Sequence, residues 1–246
     1  MAILSLYMDI NNRLMRQYKA TYQDKRGTEK IIIKSNGSVL FSTIRGIDFY
    51  GGDFDQLTTN SIDNTKFDYN MFADGSGDIT NFSLKIIFLI QFFNATTNQT
   101  VTEHLIVTVV VGEHATIDSL DHEINSLTLN ASFGKFIVEN KLEWMEDALI
   151  ALQNQLPPNI YLKTCLSCKF SNYHPVGNGI FGSLCCFKNY KKQLKQIQSK
   201  FDLLDLWTEE RIKANKLFFV QETFDCKEHQ IPTKSDWFYK NWTKTI

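Results

Sequence analysis

An α+β fold is predicted by three features of the 246-residue sequence. Strand-like segments divided by turn residues fill the first 140 positions, a helical apolar repeat follows, and every cysteine lies after position 164. The expected architecture is a β-rich N-terminal sandwich or meander unit over 1–140, a connecting helix over 141–158 and a smaller cysteine-rich α+β unit over 159–246.

Tyr18–Tyr22 and Glu29–Ile33 flank the turn-prone Asp24-Lys25-Arg26-Gly27, and Asn36-Gly37 separates Ile31–Ile33 from Val39–Ile44. Asn-Gly between apolar runs is a strong hairpin signal because both residues accept positive φ, so a three-stranded meander is expected. From Gly51 to Gly77 the chain is rich in Asp, Asn, Thr and Gly with scattered Phe and Tyr. It reads as a long connection wrapped on the core, a place for a binding surface.

Phe82, Leu84, Ile86, Phe88, Ile90 and Phe92 share one face of a strand that pairs with Thr102–Val111 across the polar turn Asn94–Thr100. Ile87, Leu89, Leu105, Val107 and Val109 are assigned to the opposite face, so both faces are expected to be covered. Ser126–Ser132 and Lys135–Glu139 read as a further hairpin about Gly134. The period then changes: Leu142, Met145, Leu149, Leu152 and Leu156 recur at steps of three and four up to Pro157-Pro158, which ends an amphipathic helix. A second helix is expected over Lys188–Trp207 and a short strand over Phe218–Phe224.

Apolar residues make up 43% of the chain and charged residues 22%, a balance that excludes a disordered class. A net charge of -1 gives no global attraction to nucleic acid or to an anionic membrane, which argues against both as partners. Residues 1–158 hold 12 Lys and Arg against 19 Asp and Glu, whereas residues 159–246 hold 14 against 8. This asymmetry fits either partner surfaces of opposite sign or ordinary solvated faces. The longest apolar run, Ile86–Ile90 extended by Phe92–Phe93, is far short of the roughly 18–20 residues of a membrane helix. Met1–Tyr7 lacks a basic leader region, so a cytoplasmic location is expected.

Cys165-Leu-Ser-Cys168 has the two-residue gap that lets both sulfurs of a tight turn face one tetrahedral ion. Cys186 and Cys226 follow at wide spacings unlike those of an ordinary zinc ribbon. Spacing alone leaves two readings open: zinc ligands, or buried cysteines packed as small hydrophobes.

The strings Cys165-x-x-Cys168, Ser171-x-Tyr173-x-Pro175-x-Gly177-x-Gly179, Phe181-Gly182-x-Leu184-x-Cys186-Phe187 and Val220-Gln221-Glu222-Thr223-x-x-Cys226 together resemble a bacterial family of unknown function. Thr43-Ile44-Arg45-Gly46 with Gly52-x-Phe54-Asp55 is similar to that family's first half. The resemblance implies that the cysteine preceding Phe is the recurring one, which selects Cys186 over Cys185. It thereby implies a structural zinc on Cys165, Cys168, Cys186 and Cys226, and a zinc-stabilised C-terminal unit. Four protein ligands leave no position for a reacting water. His174 and His229 stand as alternative ligands, the second lying three residues after Cys226.

Members of that family look like genes found near contact-dependent or secreted toxins, which implies an immunity protein that binds and neutralises a cognate bacterial toxin. On that reading the acidic stretch Asp48–Asp78 supplies the interface, with Asp53, Asp55, Asp63, Asp68, Asp74 and Asp78 complementing a basic cleft.

Catalytic signatures are missing. Gly177-Asn-Gly179-Ile-Phe-Gly182 has the letters of a dinucleotide fingerprint but follows Ser-Asn-Tyr-His-Pro rather than an apolar strand, so its glycines read as tight turns. His122-Glu123 lacks the second histidine of a zinc-protease helix. Gln221 and Glu222 either line a pocket or position the segment before Cys226 by hydrogen bonds. Trp207, Trp237, Phe238, Tyr239 and Trp242, with Lys240 and Lys244, either form a recognition surface or dock on the core. No catalytic residue is assigned. The alternatives to a binding protein are a zinc-stabilised nucleic-acid binder and an enzyme with an unrecognised site.

Overall fold

A computed structural model describes residues 15–116, 119–139, 142–174, 179–208, 211, 214 and 217–242, except for the side chains of 113–123. Strand predominates over helix among the described residues. Twelve strands form one curled antiparallel sheet. They are β1 (Arg16–Asp24), β2 (Gly27–Ser35), β3 (Leu40–Ile44), β4 (Ile47–Gly51), β5 (Thr58–Thr59), β6 (Asp68–Met71), β7 (Gly77–Thr80), β8 (Phe82–Asn94), β9 (Gln99–Thr116), β10 (Ser119–Ala131), β11 (Gly134–Val138) and β12 (Ile160–Leu162). The order across the sheet is β11-β10-β9-β8-β1-β2-β3-β4-β5-β7-β6, with β12 also paired to β8.

The curl follows from connectivity. Five strands separate β8 from β7 in the sheet, yet only Asn81 separates them in the chain. Asn81 adopts φ 57°, a left-handed turn that asparagine tolerates better than most residues, and its N–H donates to Gly112 O at 3.3 Å. A flat sheet could not bring β7 back beside β8, so the strands between them bend round a common interior. Tyr18, Tyr22, Ile33, Leu40, Ile44, Phe49, Leu84, Ile86 and Phe88 fill it.

Strand register corrects one expectation. Leu84, Ile86 and Phe88 lie opposite Val109, Val107 and Leu105. Directly opposed residues of an antiparallel pair share a face, so these six side chains all point inward. The outer face of the hairpin is open to solvent, with Leu89 48% exposed.

The C-terminal part also differs from the predicted α+β unit. It forms a second antiparallel sheet of β13 (Ser171–Tyr173), β14 (Leu184–Cys186) and β15 (Phe218–Val220), in that order. The helix predicted over Lys188–Trp207 is broken into a 3-10 turn (Lys188–Tyr190), α2 (Lys191–Leu194) and α3 (Lys200–Leu206), after the earlier α1 (Met145–Gln155). Ser199 restarts the helix with a capping box, its hydroxyl accepting from Asp202 N while the Asp202 carboxylate accepts from Ser199 N. Between Lys191 and Gln198 only Leu194 and Ile197 are apolar, too little buried face to hold a continuous helix. β15 ends at Val220 because Gln221 N turns away to donate to Gly37 O at 2.7 Å.

The cysteine-rich segment is not a separate zinc-stabilised α+β unit in this fold: the described residues are mainly β, and among them no group of three or more His, Cys, Asp or Glu is arranged to hold a metal. Cys165, Leu166, Tyr173, Phe181, Leu184, Cys186 and Val220 belong to the same apolar core as the curled sheet. A smaller second core holds Cys185, Phe187, Ile197, Leu203, Leu206 and Leu217. The buried face of α1, including Met145, Ala148, Leu149 and Leu152, packs beside β10 and β11.

One end of the sheet is fixed by an ion pair. Arg45 and Gly46, at φ 49° and 77°, form the two-residue turn between β3 and β4. The Arg45 guanidinium donates to both oxygens of Asp24, each at 2.6 Å, and to Lys66 O at 2.6 Å. It also lies 5.2 Å from the Tyr22 ring and 5.3 Å from the Phe67 ring. Asp24 is almost wholly enclosed and also accepts from Tyr22 OH at 3.1 Å. Arg45→Met removes the bidentate partner of that carboxylate, leaving Arg26 Nη1 at 3.8 Å, and is expected to lower unfolding stability by about 3 kcal/mol. Urea denaturation of the two proteins measures the difference.

Candidate functional site

The polar groups enclosed in this chain converge where the curled sheet meets the C-terminal segments. From β4 the chain runs through Gly51-Gly52-Asp53-Phe54-Asp55 into the interior. Asp53 accepts from Phe54 N at 2.6 Å through one oxygen and from Phe181 N at 3.0 Å through the other. The Phe54 and Phe181 rings stack beside it, 4.6 Å apart. Glu222, fully buried, accepts from Gly182 N at 2.6 Å and from Tyr173 OH at 3.1 Å. Gln221 accepts from Ser35 Oγ at 2.6 Å. Gln221 and Glu222 thus position the segment leading to Cys226; they do not line an open pocket.

The glycines of the fingerprint-like string serve the same close approach. A Cβ on Gly179 would lie 2.4 Å from Asp53 Oδ2, and one on Gly182 would lie 2.3 Å from Gly52 O. Gly182 also has φ 84°. Gly177 lies outside the described residues.

Burial governs the protonation of these acids. Desolvation, then the charge of Asp55, pushes the Asp53 carboxyl well above the ordinary range, and Glu222 adds to the effect. Desolvation pushes Glu222 up to about 7 despite its hydrogen bonds. Glu146, at the start of α1, is likewise pushed up to about 7 by burial, although it accepts from Asn241 N at 2.6 Å.

The same region gathers four of the five cysteines. Cys165 and Cys168 form a tight turn, with Cys168 N donating to Cys165 O at 3.2 Å and Cys165 N to Phe224 O at 2.5 Å. Ser171 Oγ donates to the carbonyls of both cysteines, and Ser171 is the register partner of Cys186 across β13 and β14. Burial raises the Cys165 thiol well above its usual range, and the charges of Cys186, Cys168 and Cys226 raise it further. Burial pushes Cys186 up to about 12, opposed by an N–H bond from Lys188 and reinforced by Cys168 and Cys226. Cys185, on the other face of β14, points into the second core.

The two histidines have partners of their own. His229 Nε2 lies 2.9 Å from Ser167 Oγ, and burial, then Lys240 and Lys163, drives its pKa down to about 3, so it is neutral. The His174 ring lies edge-on to Trp207 at 4.5 Å. Among the described residues no group of three or more His, Cys, Asp or Glu side chains is arranged to hold a metal ion.

The six aspartates do not form one surface. Asp53, Asp55 and Asp78 are buried. Asp63 bonds Thr65, and Asp68 pairs with Arg26 at 2.8 Å and Lys25 at 2.9 Å. Asp74 is exposed and holds the turn between β6 and β7 through Ser76. Beside it stand Met71 and Phe72, 49% and 44% exposed, which sequence reasoning passed over. Their signal was two large apolar residues entering an Asp/Gly turn. The aromatic tail docks: Trp242 is buried, Tyr239 N donates to Asn172 Oδ1 at 2.8 Å, and Lys240 is enclosed. Lys244 lies outside the described residues.

These features define an antiparallel β protein whose curled sheet is joined to a cysteine-bearing C-terminal segment by buried carboxylates. The chain belongs to the family of unknown function DUF6304, which matches residues 16–171. That span includes Thr43–Gly46, Gly52–Asp55, Cys165 and Cys168 and stops before Cys186 and Cys226. No curated protein and no solved structure matches the chain. Among the described residues no helix is long and apolar enough to cross a membrane.

The raised Glu222 pKa has a definite sign. The folded state binds this proton more tightly than the unfolded chain, so its contribution is present below about pH 4.5 and is lost as pH rises through about 7. The shift corresponds to about 3 kcal/mol. Glu222→Gln, which can still accept from Gly182 N, is expected to flatten the fall in stability between pH 5 and 8. Chemical denaturation of both proteins at the two pH values measures it.

Proposed function

We propose that this chain is a non-catalytic binding protein, specifically an immunity protein that holds a cognate bacterial toxin at the β6–β7 tip. The observation that carries this reading is the exposed pair Met71 and Phe72, beside the exposed Asp74 of the same turn. An apolar centre with a charged rim is how partner surfaces combine anchoring with exclusion of water. Asp74 adds a negative charge beside the pair, which favours a basic partner. β6 is also the last strand of the sheet order, so its outer edge can receive an added strand. The toxin as partner class rests on the resemblance to genes lying near toxins, and a cytoplasmic site of action accompanies it.

The nucleic-acid alternative has one supporting feature, a cavity of about 400 Å³ lined by Lys169, Lys191, Lys195, Phe170 and Trp237. Glu228 already pairs with Lys191 at 2.7 Å, and the aromatic tail is docked rather than presented. The partner-protein reading is therefore preferred.

The probe is the toxin encoded beside the gene for this chain. Wild-type protein is expected to bind it and restore growth of cells expressing it. The Met71→Glu, Phe72→Glu double variant should keep its thermal midpoint and bind at least roughly a hundredfold more weakly, the loss of hot-spot anchors. Unchanged affinity in the variant would place the interface elsewhere, and no binding by wild type would remove the immunity reading.

A further inference from the structure

We propose that the outer face of the curled sheet is a docking surface for an anionic lipid bilayer, formed by a row of aliphatic side chains with lysines on both sides. The proposal is independent of the partner surface at the β6–β7 tip and rests on the registers of six other strands.

Opposed residues of antiparallel strands share a face, so the registers lay out the solvent side of β2, β1, β8, β9, β10 and β11 row by row. One row runs Ile32, Lys19, Ile87, Ile106, Thr128 and Ile137. At a strand spacing of about 4.8 Å it is about 24 Å long, measured along the sheet. The row on one side is Lys30, Thr21, Lys85, Thr108 and Ser126. On the other side Lys34 stands opposite Gln17, and Leu89, His104, Asn130 and Lys135 follow in register. These positions alternate with the buried Ile31 and Ile33, Ile86 and Phe88, and Leu105 and Val107, so the rows face away from the interior.

The outward side of an antiparallel sheet ordinarily carries polar residues. Here Ile32, Leu89 and Ile137 are exposed, with Ile87 and Ile106 half-buried between them. Lys19, Lys30, Lys34, Lys85 and Lys135 are all exposed, and Lys30 Nζ donates to a neutral partner, Thr21 Oγ1, at 2.7 Å. Continued onto β3 and β4, the face adds Phe41 and Tyr50, which with Ile32, Lys34 and Asp48 line a cavity of about 370 Å³. Asp48 is the one carboxylate of these rows among the described residues, and it accepts from Thr43 Oγ1 at 2.6 Å. The result is a cationic face on residues 1–158, where acids outnumber bases by 19 to 12. The whole-chain charge of -1 conceals it.

The chemistry of the face selects its occupant. A second copy would set lysines against lysines. Nucleic acid would satisfy the ammonium groups but leave the aliphatic row against a polar backbone. Protein interfaces are enriched in Arg, Met and large aromatic residues and poor in Lys, whereas every cation here is lysine and the centre is Ile and Leu. A bilayer surface meets both features. Aliphatic side chains enter the boundary between headgroups and acyl chains, while lysine stems lie along it and carry their ammonium groups to lipid phosphates and carboxylates. Phe41 and Tyr50 at the β3–β4 end are side chains suited to the same boundary.

The test sediments the full chain with large unilamellar vesicles of phosphatidylcholine containing about 30% phosphatidylserine, and with phosphatidylcholine alone. Binding is expected to the anionic vesicles only, and it should fall as salt is raised, because exposed charges are screened. The Lys19→Gln, Lys85→Gln double variant should bind roughly 20–30-fold more weakly, about fivefold for each lysine. Ile32→Ser, Leu89→Ser alters exposed side chains only and should weaken binding by roughly tenfold or more. The Met71→Glu, Phe72→Glu variant should bind vesicles as wild type does, so this face is judged apart from the tip. Folded wild-type protein that stays in solution beside anionic vesicles overturns the proposal, as does binding that neither face variant weakens. Capture of polyglutamate by wild type and not by the lysine variant, without vesicle binding, would overturn it in favour of an acidic protein partner.

Discussion

Two buried carboxylates set the terms for the rest of this molecule. A carboxylate taken out of water must find donors or keep its proton, and Asp53 and Glu222 do both, reaching the amides of Phe181 and Gly182 at raised pKa. The Asp53 bond joins a loop early in the chain to one nearly 130 residues later, and the Glu222 bond ties that later loop to the segment after β15. They require side chains small enough to be absent at 179 and 182, they bring Phe54 onto Phe181, and they place the strand that carries Cys186. The seam is therefore both the most polar part of the interior and the part that determines where the thiols lie.

Local signals were legible where local chemistry decided the outcome. Asn36-Gly37, the Asp24–Gly27 turn and the alternating apolar residues of β8 each correspond to a feature of the sheet. What failed was non-local. The inward position of Leu105, Val107 and Val109 depends on register, which sequence alternation alone does not fix. The curl depends on Asn81, a single residue that resembles any other loop asparagine until the strand order is known. The long helix predicted after Lys188 had apolar residues at plausible spacing but almost none to bury along its first two turns.

The candidate sites divide along the same line. The Cys165–Cys168 pair is legible because its spacing is local, whereas its association with Cys186 rests on β-pairing across more than a dozen residues. The aspartates misled because composition does not distinguish a solvent-facing carboxylate from one turned inward to an amide. Asp53 and Asp74 lie in the same acidic stretch, yet one closes the interior and the other caps an exposed turn. Met71 and Phe72 were overlooked for the converse reason, since exposed apolar residues are conspicuous only once the fold shows that nothing covers them.

The recognisable family segment ends at residue 171, but Asp53 lies within it and its Phe181 donor lies beyond. Ser35 and its acceptor Gln221 straddle the same limit. What is inherited as a detectable unit is thus shorter than what must fold together. Any relative that keeps an inward acid at the position of Asp53 has to furnish a donor from its own downstream chain, however far that region has diverged. Divergence there is constrained through backbone geometry, which leaves little trace in residue identity.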